Sequence, residues 1–288
     1  MTSTPGATDC HAHVFDPVRF PYAAGRRYTP PPATVDELLR LHDALGLQRV
    51  VLVQPSVYGS DNRCMVSALR QLGDRARGVA VIDDSFDRTH LEDLWAVGVR
   101  GVRLNLQVAR EQDASQGQRM LEALAHAVSE VPLLVQIHAA TAIVLSCAAT
   151  IRAMRQPLLI DHFGLVRAAG GASQPELAPL LDLLAVPHVW IKLSGPYQIS
   201  EASPGYEDIA PIARALFDAA PERTLWGSDW PHTGGVARSA NYRMTDVEAF
   251  RSEDDASNLG LIDTWLPQAA DRERLLKSNP ARLFGFDA

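Results

Sequence analysis

Eight times along this chain a short apolar run is followed by an amphipathic segment, and that repetition restricts the fold more than any other feature. The runs are ATDCHAH (7–13), RVVLVQPS (49–56), ARGVAVID (76–83), VRGVRLNL (99–106), PLLVQIHA (132–139), PLLIDHFG (157–164), HVWIKLSG (188–195) and RTLWGSDWP (223–231). Most do not alternate apolar with polar, as expected of parallel strands covered on both faces. Between them lie helical patterns such as TVDELLRLHDALG (34–46), NRCMVSALRQLG (62–73), RMLEALAHAVSE (119–130) and PELAPLLDLLA (175–185). Thr34 with Glu37 reads as a capping box, and Gly46 and Gly73 fall where a helix would stop in a left-handed residue. Strand-then-helix repeated eight times predicts an α/β fold, a single (β/α)8 TIM barrel over residues 1–288. A doubly wound open sheet is the alternative, but no glycine-rich phosphate loop follows the first strand. YTPPPAT (28–34) reads as a stiff loop, and 232–258 as a long polar excursion after the last strand.

Composition narrows the partners. The formal charge of −7 argues against nucleic acid, which needs a basic face. No apolar run is long enough to span a membrane. MTSTPGATDC has neither the basic segment nor the apolar run of a signal peptide, and Cys10, Cys64 and Cys147 are odd in number and far apart. A reduced, cytoplasmic setting is expected, with assembly into a homo-oligomer left open.

In such barrels chemistry sits at the C-terminal ends of the strands. There this sequence places His11 and His13, Arg103 and Asn105, His138, Asp161 and His162, Lys192 and Ser194, and Asp229. On a strand, positions i and i+2 share a face, so His11 and His13 project together while Ala12 and Cys10 point away. Ionisable groups at the ends of apolar strands need partners, because desolvating a charge is costly. Imidazoles with one carboxylate suit a divalent metal, zinc first. They suit equally a metal-free site in which Asp229 is general base on water and the histidines polarise an acyl carbon. His42, His90, His126 and His188 lie on helical segments or before a strand and read as packing or surface residues. Arg100 is out of phase with Arg103 and should face the helices, while Lys192 reads as a buried lysine paired with an acid such as Asp161. His232 reads either as a partner that orients Asp229 or as filling.

HAH taken with IDHFG and WGSDWPH resembles the amidohydrolase superfamily in its amidohydrolase-2 branch. DCHAHVFDPVRFPYAAGRRYTPPP, VLVQPSVYGSDN, GVRGVRLNL and NPARLFGF are similar to its lactone-acting group, which includes pyrone-dicarboxylate lactonases and related sugar-acid lactone enzymes. The likeness runs from about residue 8 to residue 286. It implies His11, His13, His162 and Asp229 as catalytic residues, with Asp229 the water-activating base. It implies Tyr28 and Arg103 at the substrate and Ser56 lining the site; Asn105 and Tyr197 join them by position. His138 stands where the pyrone lactonases carry tyrosine and where metal-using members carry histidine. A metal, if bound, is therefore expected on His11, His13, His138 and Asp229. No lysine ends the fourth or fifth strand, against a binuclear centre. The arginine expected after the seventh strand is absent from LSGPYQIS, which offers Tyr197 and Gln198, and that points to a less charged lactone. The expected activity is hydrolysis of a small carboxylated lactone, with a lactone isomerase or a metal-dependent decarboxylase as alternatives. A barrel that only binds a small acid is the non-enzymatic one.

Overall fold

The computed structural model describes residues 6–109, 113–234 and 242–287. Eight parallel strands follow one another in chain order: β1 (Thr8–Ala12), β2 (Arg49–Val53), β3 (Ala76–Ala80), β4 (Val99–Asn105), β5 (Leu134–His138), β6 (Leu158–Ile160), β7 (Val189–Ser194) and β8 (Thr224–Gly227). The residues after β8 complete the ring, through a parallel bridge from Ala12 to Trp230 and the bonds Asp229 N–H to His11 O and His13 N–H to Trp230 O, both 2.8 Å. The result is the expected (β/α)8 barrel, each strand starting within two residues of its apolar run. No described helix is long and apolar enough to cross a membrane.

Local signals act as read. Helix α1 (Val35–Leu45) starts at the Thr34–Glu37 capping box and ends at Gly46 with φ 72°. Helix α2 (Arg63–Leu72) is followed by Gly73 at φ 59°, which turns the chain without forming a left-handed cap. The α3 helix (Arg88–Ala96) is capped reciprocally by Asp87 and His90. The polar excursion after β8 is shorter than expected, since a helix starts at Asp255 and runs to Trp265.

Parity along the strands builds the interior in layers. Leu134, Leu159, Trp190 and Leu225 form an apolar floor with Val51, Val53 and Val79, closed below by Phe284 and Phe286. One inward step further up, Gln136 and Lys192 replace them, and at the top stand His138 and Ser194. Cys10 belongs to the inner apolar cluster, contrary to the expectation that it alternates away. The reason is a break in the β1–β2 register between Asp9 and Ala12, which interrupts simple alternation. Ala12 does face the helices.

Candidate active site

Asp9 anchors the first strand. Its carboxylate accepts from the backbone N–H groups of His11 (3.0 Å) and Ser228 (2.9 Å), from the Ser228 hydroxyl and from His42 Nε2 (3.3 Å). This fixes His11 against the segment that carries Asp229. Gly227 allows the approach, because a Cβ there would sit 2.7 Å from the His11 Cβ.

Asp229, held at φ 66°, is the centre of the upper layer. Its Oδ2 accepts the Tyr197 hydroxyl at 2.7 Å and Gln198 Nε2 at 3.3 Å. Its Oδ1 lies 3.6 Å from His11 Nε2 and 3.7 Å from His13 Nε2, and His162 Nδ1 lies 3.9 Å from Oδ2. Gly195 leaves room for this carboxylate: a Cβ there would fall 2.7 Å from Oδ2. Burial alone would raise the acid, but His162, His13 and His11 outweigh it and hold Asp229 well below the ordinary carboxylate range. Burial drives the other way in the imidazoles, lowering His11, His138 and His162. The ring of His162 stands 4.7 Å from that of His11 and 4.7 Å from that of His138.

Beneath lies a fully buried charge cluster. Asp161 Oδ2 accepts from Arg103 Nε (3.2 Å), Arg103 Nη2 (3.1 Å) and Gln136 Nε2 (2.9 Å). Lys192 Nζ lies 3.4 Å from Asp161 Oδ1, donates to Gln136 Oε1 at 3.2 Å, and meets His11 Nδ1 at 3.2 Å. Lys192 therefore takes the paired role read for it. Asp161 sits well below its ordinary range: burial raises it, and Lys192, His11 and Arg103 together overcome that.

A cleft of about 480 Å³ opens beside this cluster, lined by Ser56, Arg103 and Asn105 among others. Tyr28 joins it beside Ser56 and Thr233, and its burial raises the phenol. The structure thus brings Tyr28, Ser56, Arg103 and Asn105 together. Nε and Nη2 of Arg103 are already committed, which leaves Nη1 for a ligand. Tyr197 is placed on the acid instead of in the cleft. His232 bonds Asp255 (3.1 Å) and sets its ring 5.7 Å from that of Tyr197, behind the acid's partner. Arg100 lies over Trp95 on the helix side. Gln136 went unread in the sequence, although its parity with His138 in LLVQIHA was a usable signal.

His11, His13 and Asp229 also lie close enough to hold a metal ion, their ligand atoms all within 4.8 Å of one another; His138 is not in that group. Their hydrogen bonds decide the fit. A metal-bound imidazole points a lone pair at the ion and gives its other N–H to an acceptor. His13 does so, with Nδ1 2.7 Å from the Val53 carbonyl. His11 Nδ1 meets the Lys192 ammonium at 3.2 Å and the Asp161 carboxylate at 3.5 Å, whereas His138 Nδ1 faces only the donating Arg103 Nη2 at 3.1 Å. His11, His13 and Asp229 could therefore hold an ion, while His138, facing the Arg103 guanidinium, does not join the expected set.

The family model described as Amidohydrolase matches residues 8–286. A 4-sulfomuconolactone hydrolase from Rhizobium radiobacter is 37% identical, over 97% of this chain and 90% of its own. A 2-pyrone-4,6-dicarboxylate hydrolase from Comamonas testosteroni is 33% identical, over 97% and 90%. A solved structure from Acinetobacter baumannii, assigned as a 2-pyrone-4,6-dicarboxylic acid hydrolase and carrying bound citric acid, superposes with a TM-score of 0.75 at 28% identity, over 98% of this chain and 100% of that one. With a matching barrel and an acid ringed by histidines at its strand ends, this chain belongs to the amidohydrolase family.

Proposed function

We propose that this protein opens a small lactone carrying an anionic substituent, by addition of water. One observation carries the reading: the Asp229 carboxylate is pinned at Oδ2 by Tyr197 and Gln198, while its Oδ1 stands 3.6 Å from His11 Nε2 and 3.7 Å from His13 Nε2. A carboxylate fixed at one oxygen and available at the other is suited to general-base catalysis. In the proposed reaction Asp229 Oδ1 takes a proton from water and the resulting hydroxide attacks the lactone carbonyl. The surrounding imidazoles stabilise the tetrahedral oxyanion. The intermediate collapses with cleavage of the ring C–O bond, and the proton held by Asp229 passes to the leaving oxygen. No step is assigned to a metal.

The anionic substituent is read from the cleft. Arg103, Tyr28, Ser56 and Asn105 supply donors beside the reacting centre, and a guanidinium matches carboxylate and sulfonate oxygens. The relatives agree in kind, since their names describe a sulfonated lactone and a dicarboxylated pyrone, and the Acinetobacter protein holds citrate.

The test is turnover of sulfonated and carboxylated lactones in ¹⁸O-labelled water. Hydrolysis places one solvent oxygen in the product carboxylate. An unlabelled, isomeric lactone would make the protein an isomerase, and release of CO2 would make it a decarboxylase.

A further inference from the structure

Three buried ring nitrogens among the described residues have no hydrogen-bond partner: Nδ1 of His232, set behind Tyr197, and, at the heart of the site, Nε2 of His11 and Nε2 of His138. A buried polar atom left alone costs about 1–3 kcal/mol, so each calls for a physical reason. For His11 and His138 the opposite ring nitrogen supplies it. His138 Nδ1 lies 3.1 Å from Arg103 Nη2. A guanidinium has N–H donors and no acceptor, so His138 accepts at Nδ1. A neutral imidazole that accepts at Nδ1 carries its hydrogen on Nε2.

The same reasoning applies to His11. Lys192 Nζ, which has donors only, approaches Nδ1 to 3.2 Å. Asp161 Oδ1 stands farther from that nitrogen, at 3.5 Å, so Lys192 is its nearer partner. His11 is therefore also an Nε2–H imidazole. His13, two residues on, is the opposite tautomer, because its Nδ1–H donates to the Val53 carbonyl and leaves a lone pair on Nε2. The site thus holds two N–H groups that make no hydrogen bond to a described residue, that of His11 facing Asp229 Oδ1 at 3.6 Å, on rings that both pack against His162.

Preorganised donors without a ground-state partner are what a developing oxyanion requires. We propose that Arg103 and Lys192 are positioning residues that lock His138 and His11 as Nε2–H tautomers, and that these two N–H groups form the oxyanion hole of the reaction. The proposal rests on the lactone-hydrolysis reading above. It gives His138 a role as donor to substrate in place of a metal ligand, and gives the buried charge cluster a catalytic purpose.

The tautomers are read without substrate. In ¹⁵N-labelled, chelator-treated protein near pH 7, two-bond ¹⁵N–¹H correlations distinguish a protonated from an unprotonated ring nitrogen, with signals assigned through His11→Gln and His138→Gln. The expected spectrum has His11 and His138 protonated at Nε2 and His13 at Nδ1. A hydrogen on Nδ1 of either His11 or His138 overturns the proposal, as does a metal-bound signal from either ring in protein as purified. Lys192→Met is expected to move the His11 hydrogen to Nδ1 and to lower kcat about a hundredfold with KM within about twofold. Lys192→Gln, which keeps an amide donor, is expected to retain the Nε2–H signal and recover most of kcat. Unchanged kcat and an unchanged His11 signal in Lys192→Met would sink the idea; if that variant is unfolded, the wild-type spectrum alone decides. A wild type that turns over no lactone would instead remove the functional reading, whatever the tautomers prove to be.

Discussion

The Tyr197 hydroxyl donates to Asp229 Oδ2 at 2.7 Å, tying a residue that follows β7 to the acid that follows β8. A hydrogen bond to the charged form of a carboxyl lowers its pKa. Tyr197→Phe removes that bond, so the Asp229 pKa rises toward the ordinary carboxylate range. Activity needs the ionised acid and is lost as pH falls through that pKa. The acid limb of the kcat/KM profile is therefore expected to move to higher pH in Tyr197→Phe, with little change at pH 7, where an acid in the ordinary carboxylate range stays ionised. An unmoved limb would show that Tyr197 does not set the acid.

Asp229→Asn leaves the shape of the site and removes the base. Turnover is expected to fall by about 10²–10⁴, the usual contribution of general-base catalysis, with little change in KM. Steady-state kinetics on the best lactone check this; retained kcat would move the base elsewhere.

Gly195→Ala places a methyl group 2.7 Å from Asp229 Oδ2 at a residue whose φ is +57°. The side chain of Asp229 has to shift or the turn has to open. Loss of most activity is expected alongside a stability cost of only about 1–2 kcal/mol, from strain at a positive φ. Comparing kcat with the urea midpoint separates the two effects.

Asp161→Asn leaves Lys192 and Arg103 buried without their carboxylate. Breaking one side of a buried ion cluster costs about 3–5 kcal/mol. Lys192→Met combined with Asp161→Asn is expected to recover part of that loss, a coupling that a double-mutant cycle in urea measures.

Stability should fall on acidification in two stages. His11, His138 and His162 have folded pKa values below their ordinary one. Below about pH 6.5 the unfolded chain binds protons that the folded chain does not, so folding weakens. Asp161 and Asp229 are likewise lowered, and the stability they contribute above their unfolded pKa is lost as pH falls below about 4. Urea midpoints at pH 7.5, 5.5 and 4 test the order, and His138→Gln should flatten the first stage.

The barrel was legible because eight apolar runs each met the length and burial of a parallel strand, and the strand-end polar residues followed from position alone. Tyr28, Ser56, Arg103 and Asn105 gather as a result of that placement. What stayed hidden depends on contacts between distant strands. Tyr197 reads as a loop residue until β7 and β8 are side by side. Gln136 reads as one polar residue in a strand until β6 and β7, next in the sheet, bring Asp161 and Lys192 to it. Cys10 was misplaced because a register break has no local sequence sign. His138 was read as a ligand, should a metal bind, from the family resemblance; its contact with Arg103, 35 residues earlier, has no local sequence sign.

Asp9 never reaches the cleft, yet it stitches the seam between the first and last strands. The backbone amides of His11 and Ser228 are both spent on its carboxylate, outside the regular sheet ladder. Hydrogen–deuterium exchange at those two amides consequently reports on one side chain, and an Asp9→Ala protein should let both exchange together while the amides of β4 and β5 keep their protection.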